Sequence, residues 1–81
     1  MENRLALIGI IVENRSHVER LNAILHQFSK YIVGRMGIPY TVRDLSVISV
    51  VVDAPAGKIS ALSGKIGMLD GINVKTMYAR K

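Results

Sequence analysis

The amino-acid sequence predicts an α+β fold: a four-stranded antiparallel sheet with two helices on one face, in the order β-α-β-β-α-β. Two segments carry apolar residues at helical spacing, and each follows directly on a run rich in β-branched residues. Two further runs of strand type complete the chain, so that it reads as two similar strand-helix-strand halves.

Residues 4–13 (RLALIGIIVE) form the first predicted strand. Ser16 and Glu19 then make an S-x-x-E pattern, in which two side chains satisfy free backbone N–H groups at a helix start. Val18, Leu21, Leu25 and Phe28 recur at helical spacing, Ile24 widens the stripe, and the helix is expected to end near Lys30. Residues 31–38 (YIVGRMGI) read as a glycine-interrupted second strand, with Pro39, Tyr40 and Thr41 starting a turn. Residues 45–53 (LSVISVVVD) are the clearest strand. Asp53-Ala54-Pro55 marks a second helix start, since proline suits the first helical turn and aspartate caps it. Ile59, Leu62, Ile66 and Leu69 repeat the helical stripe, Gly71 closes it, and residues 72–79 (INVKTMYA) form the last strand. This order is that of the ferredoxin-like split βαβ unit.

Eighty-one residues make one domain, spanning 1–81. A core of that size gives only a few kcal/mol unaided, so a staple or a partner subunit is expected. The chain has no cysteine, which excludes disulfides, thiolate zinc sites and iron–sulfur ligation; no cofactor is expected. The apolar run Leu5–Val12 is far short of the roughly 20 residues that span a bilayer, and no small-residue cleavage site follows it. A cytoplasmic location and no membrane partner are the expectation. The net charge of +5 permits a polyanion partner, but the basic residues are scattered rather than blocked.

Alternation along the strands separates their two faces. In the first strand Leu5, Leu7 and Ile11 oppose Ala6, Ile8, Ile10 and Val12; in the third, Leu45, Val47 and Val51 oppose Ile48, Val50 and Val52. Both faces are apolar, whereas an antiparallel sheet with one face in water shows polar alternation. Two helices cover one face only. The other predicts a homo-oligomer, dimer or tetramer, formed by sheet packing or edge pairing.

The stretch Val12-Glu13-Asn14-Arg15-Ser16-His17-Val18, with Leu21 and Phe28, resembles the opening of ACT domains, small regulatory modules of this topology that typically read E-N-R-P-G-V here. The segment from Ile48 to Leu69 resembles their second half, so the likeness covers nearly the whole chain. More closely, Gly34-Arg35-Met36-Gly37-Ile38-Pro39 and Val42-Arg43-Asp44-Leu45-Ser46-Val47-Ile48-Ser49 resemble a stand-alone ACT-like family named for a regulatory role in the iron-only hydrogenase system of anaerobic bacteria. The chain also resembles the C-terminal domain of nickel-responsive regulators. The resemblance implies a non-enzymatic regulatory module. It departs from the amino-acid-binding pattern where Ser16 and His17 replace Pro-Gly, which implies that the usual ligand site is lost or altered.

A small-molecule effector would sit at a subunit interface beside Asn14, Arg15, Ser16 and His17, with Arg35 and Met36; the alternative is a protein partner. His17 and His26 lie about 900° apart around one helix, on opposite faces, so no metal site is expected within a subunit. No catalytic residues stand out: the chain has no nucleophile elbow and no G-x-x-x-x-G-K phosphate loop, and Glu13, Asp44, Asp53 and Asp70 are isolated at element ends. An RNA-recognition motif needs aromatics on its central strands, and the third strand has none, so nucleic acid is not an expected partner. A small basic nucleic-acid binder stands as the alternative reading.

Overall fold

The computed structural model describes residues 2–80. The chain forms β1 (Asn3–Val12), α1 (Val18–Gln27), β2 (Ile32–Tyr40), β3 (Leu45–Pro55), α2 (Ala56–Gly67) and β4 (Ile72–Tyr78), with single 3-10 turns at Arg15–His17, Ser29–Tyr31 and Thr41–Arg43. The strands make one sheet in the order β2-β3-β1-β4, every neighbouring pair antiparallel. The ferredoxin-like order and the two helices are thus as the sequence predicts.

The core lies between helices and sheet. Ala6, Ile8, Ile10 and Val12 of β1 and Val50, Val52 and Ala54 of β3 are buried against Leu21 and Leu25 of α1 and Ile59, Leu62 and Ile66 of α2. Period-two alternation sends these strand residues to the helix side, and period-3.6 spacing turns the helical ones to meet them. Two strands paired with β1 place its centre deepest, with Ile8 and Ile10 wholly inaccessible. No polar or charged residue is buried among the described residues.

Several local expectations are corrected. The Ser16–Glu19 box does not cap α1: Asn14, two residues upstream, accepts from the Ser16 backbone N–H and starts the 3-10 turn instead, and α1 begins after His17 without a side-chain cap. Asp53 does not cap α2. It remains in β3 opposite Leu5, because the strand continues to Pro55, and α2 starts directly after that proline. α1 ends at Gln27, and a 3-10 turn covers the remaining residues as far as Tyr31. α2 ends at Gly67 rather than Gly71. Leu69 is nevertheless buried, from the turn that follows, and Gly71 takes φ +74 just before β4. β2 runs on through Pro39 to Tyr40, which an edge strand tolerates because one side of it needs no ladder partner.

Candidate functional site

The turn between β1 and α1 is built on a contact across the molecule. The backbone N–H groups of Glu13 and Asn14 both donate to the carbonyl oxygen of Gly71, at 2.7 and 3.2 Å. A Cβ on Gly71 would fall 2.3 Å from the Asn14 Cβ, so the two turns approach only because residue 71 is glycine. Positive φ makes the same demand. Asn14 Oδ1 accepts from the Ser16 N–H at 2.9 Å, and Asn73 Nδ2 donates to Glu13 Oε1 at 2.6 Å. Arg15 faces Asp44 of the β2–β3 turn at 3.9 Å, a solvated ion pair that screening leaves weak.

The six residues expected at the site do not converge within one chain. Asn14, Arg15, Ser16 and His17 form one continuous loop, the first three exposed and His17 half-buried. Arg35 pairs with Val50 and shares its helix-side face; its guanidinium reaches the Asn22 Oδ1 of α1 at 3.5 Å. Met36, one residue further, pairs with Ser49 and projects from the other face, 64% exposed. Residues that sequence reasoning missed are Gly71, Glu13 and Asn73, which hold the loop. The positive φ of Gly71 gave no warning in the sequence, beyond glycine's habit of following helices.

The helix-free face of the sheet is the larger feature. Leu5, Leu7 and Ile11 of β1, Val47 of β3, Met36 and Ile38 of β2 and Met77 of β4 are all exposed there. Their rows run straight across the sheet: Gly34, Val51, Leu7 and Met77 in one, Ile38, Val47, Ile11 and Asn73 in another. Between them lies a row of Met36, Ser49, Gly9 and Lys75. Gly9 leaves a notch there, since a Cβ on it would meet nothing nearer than a carbonyl oxygen at 3.9 Å. A depression of about 350 Å³ is lined by Leu5, Leu7, Val51 and Met77, and another of about 250 Å³ by Gly9, Ile11, Val47 and Lys75.

Among the described residues no three His, Cys, Asp or Glu side chains come together as a metal site would require, and no helix is long and apolar enough to cross a membrane.

Residues 4–76 match the family model described as "TM1266-like: Iron-only hydrogenase system regulator, putative". The chain is similar to the solved structure of the uncharacterized protein TM1266 from Thermotoga maritima, with 36% identity and a TM-score of 0.92, over 98% of this chain and 100% of that one. It is also similar to the C-terminal domain of the MgtC protein from Mycobacterium tuberculosis, at 12% identity and a TM-score of 0.73, over 95% of this chain and 88% of that one. A formyltetrahydrofolate deformylase from Pseudomonas putida KT2440 matches at 11% identity and a TM-score of 0.64, over 90% of this chain but 28% of its own length. In the last two the likeness is of fold alone. Curated proteins offer no match.

Proposed function

The chain belongs to the TM1266-like family of iron-only hydrogenase system regulators, and from that premise we propose that it is a non-enzymatic, cytoplasmic regulatory module that works as a homo-oligomer. Assembly uses the helix-free face of the sheet. The effector is a small molecule held beside the Asn14–His17 loop at a subunit boundary, or a docked protein.

The observation that carries this reading is the apolar open face. Leu5, Leu7, Ile11, Val47 and Met77 have the residue types of a core and stand where water would meet them in a lone chain. A contiguous apolar patch of this kind marks an interaction surface. A core of this size is also marginal without a partner. Membership of a regulator family supports the regulatory role, and the absence of buried polar groups among the described residues leaves no sheltered acid or base for chemistry.

Light scattering at micromolar concentration tests the assembly. Wild-type protein should run as a dimer or tetramer, and Leu7→Asp should run as a folded monomer because a carboxylate would be buried at the interface. A wild-type monomer would end the assembly reading. For the effector, a thermal-shift screen against amino acids, nucleotides and divalent metals should find a ligand whose effect Asn14→Ala removes while the oligomer persists. An equal shift in that variant would move the site elsewhere.

A further inference from the structure

A second surface lies on the far side of the molecule from the open sheet. Between α1 and α2 runs a groove of about 550 Å³ with Ala23, Ile24 and Met68 on its walls and Arg20 and Lys65 at its rim. It shares Gln27 and Lys65 with a neighbouring depression of about 280 Å³ that adds Lys30 and Lys58, so the two form one continuous trough. Met68 is 83% exposed, as far from burial as any large apolar side chain among the described residues. Four cations therefore border the trough, and among the described residues no carboxylate lines either part.

We propose that this trough docks an acidic amphipathic helix of a partner protein, with the helix's apolar side on Ile24 and Met68 and its carboxylates toward Arg20, Lys30, Lys58 and Lys65. An apolar floor between basic rims is the complement of an apolar stripe flanked by acidic residues, the pattern read in helix-in-groove recognition. Charge complementarity also steers the encounter and excludes like-charged partners.

A second copy of this chain does not fit. Its acidic residues Glu13, Asp44 and Asp70 lie in the turns around the β1–α1 loop, Glu2 precedes β1, Asp53 projects from β3, and Glu19 sits in the first turn of α1. They form no acidic helical face. Nucleic acid fits poorly for a different reason. The aromatic residues bordering the trough are Phe28 and Tyr31, half-buried against the core, with the ammonium groups of Lys65 and Lys30 over their rings at 5.6 and 5.1 Å. Bases would find no free ring to stack on. The assembly proposed above uses the opposite face of the sheet, so either idea can fail without the other.

The test is fluorescence anisotropy with a labelled synthetic peptide of about four helical turns, leucine at i, i+3, i+4 and i+7 and glutamate on both flanks. The full chain should bind it with a micromolar dissociation constant, and a scrambled peptide of equal composition at least tenfold more weakly. Lys58→Glu with Lys65→Glu should weaken binding by more than tenfold, and so should Met68→Glu, with circular dichroism unchanged because all three side chains are on the surface. Equal binding of the scrambled peptide or of polyglutamate would overturn the proposal by reducing the trough to a charge effect. Tighter binding of single-stranded DNA, failure of the ordered peptide to bind, or retained affinity in the double variant would overturn it as well.

Discussion

Ile10 and Ile11 are adjacent in β1 and chemically identical, yet Ile10 is wholly buried beneath the helices while Ile11 keeps 41% of its surface accessible. The same holds along β3, where Val50 is sealed and Val47 is 39% exposed. Composition does not separate the two faces of this sheet. What separates them is that α1 and α2 supply a cover for one, and for the other the chain supplies nothing. In a helix-covered two-layer domain the face without helices is ordinarily polar. Here it is apolar, and that contrast is the ground of the assembly proposed above.

The largest effect that would sharpen this contrast is Ile10→Ala. Truncation at a sealed site leaves a cavity and should cost about 2–5 kcal/mol, read as a fall in the denaturation midpoint at every protein concentration. A loss below about 1 kcal/mol would mean that the helix side is loosely packed. Gly71→Ala comes next. Its Cβ would overlap Asn14 and its φ would be strained, a cost of at least about 1–3 kcal/mol; chemical denaturation should show it equally in monomer and oligomer, since neither face is touched. Asn14→Ala removes the acceptor of the Ser16 N–H and should cost about 0.5–2 kcal/mol. Ile11→Ala, the counterpart of the first substitution, should cost the isolated chain less than about 1.5 kcal/mol given its partial exposure. If the open face is the assembly face, its larger consequence should be a lower association constant measured by sedimentation. Equal penalties for Ile10 and Ile11 in a dilute, monomeric sample would erase the distinction between the faces. Smallest for the chain itself is Gly9→Ala, which has room in the notch and should leave monomer stability within about 1 kcal/mol. If a second sheet packs there closely, the added methyl should lower the association constant measured by sedimentation.

Much of this was legible in the sequence, because both relevant periods are short. Alternation in LALIGIIV assigned Leu5, Leu7 and Ile11 to one face and Ala6, Ile8, Ile10 and Val12 to the other, as observed. The same rule, applied to β2, parts Arg35 from Met36 and sends them to opposite faces of the sheet. The caps were less legible. Ser16 with Glu19 satisfied the capping pattern, but Asn14 competes for the same backbone donors, and which residue wins depends on how far β1 runs before the chain turns. The Gly71–Asn14 contact joins residues at opposite ends of the chain and has no local signature at all.

That contact has a consequence for how the chain finds its fold. In most half-buried strands, sliding by one residue is forbidden because it would bring polar side chains under the helices. β1 has only part of this safeguard: moved by one position, it would offer Leu5, Leu7, Gly9 and Ile11 to the core in place of Ala6, Ile8, Ile10 and Val12, which brings in no polar side chain but leaves a cavity where Ile10 packs. The two N–H groups of Glu13 and Asn14 that converge on the Gly71 carbonyl, and the close seat that only glycine permits there, act as an end-stop for the strand. Polarity, which decides alignment in most sheets, does not distinguish the two registers here. The choice of register rests instead on the volume that Gly9 could not fill and on a single turn at the far end of the chain.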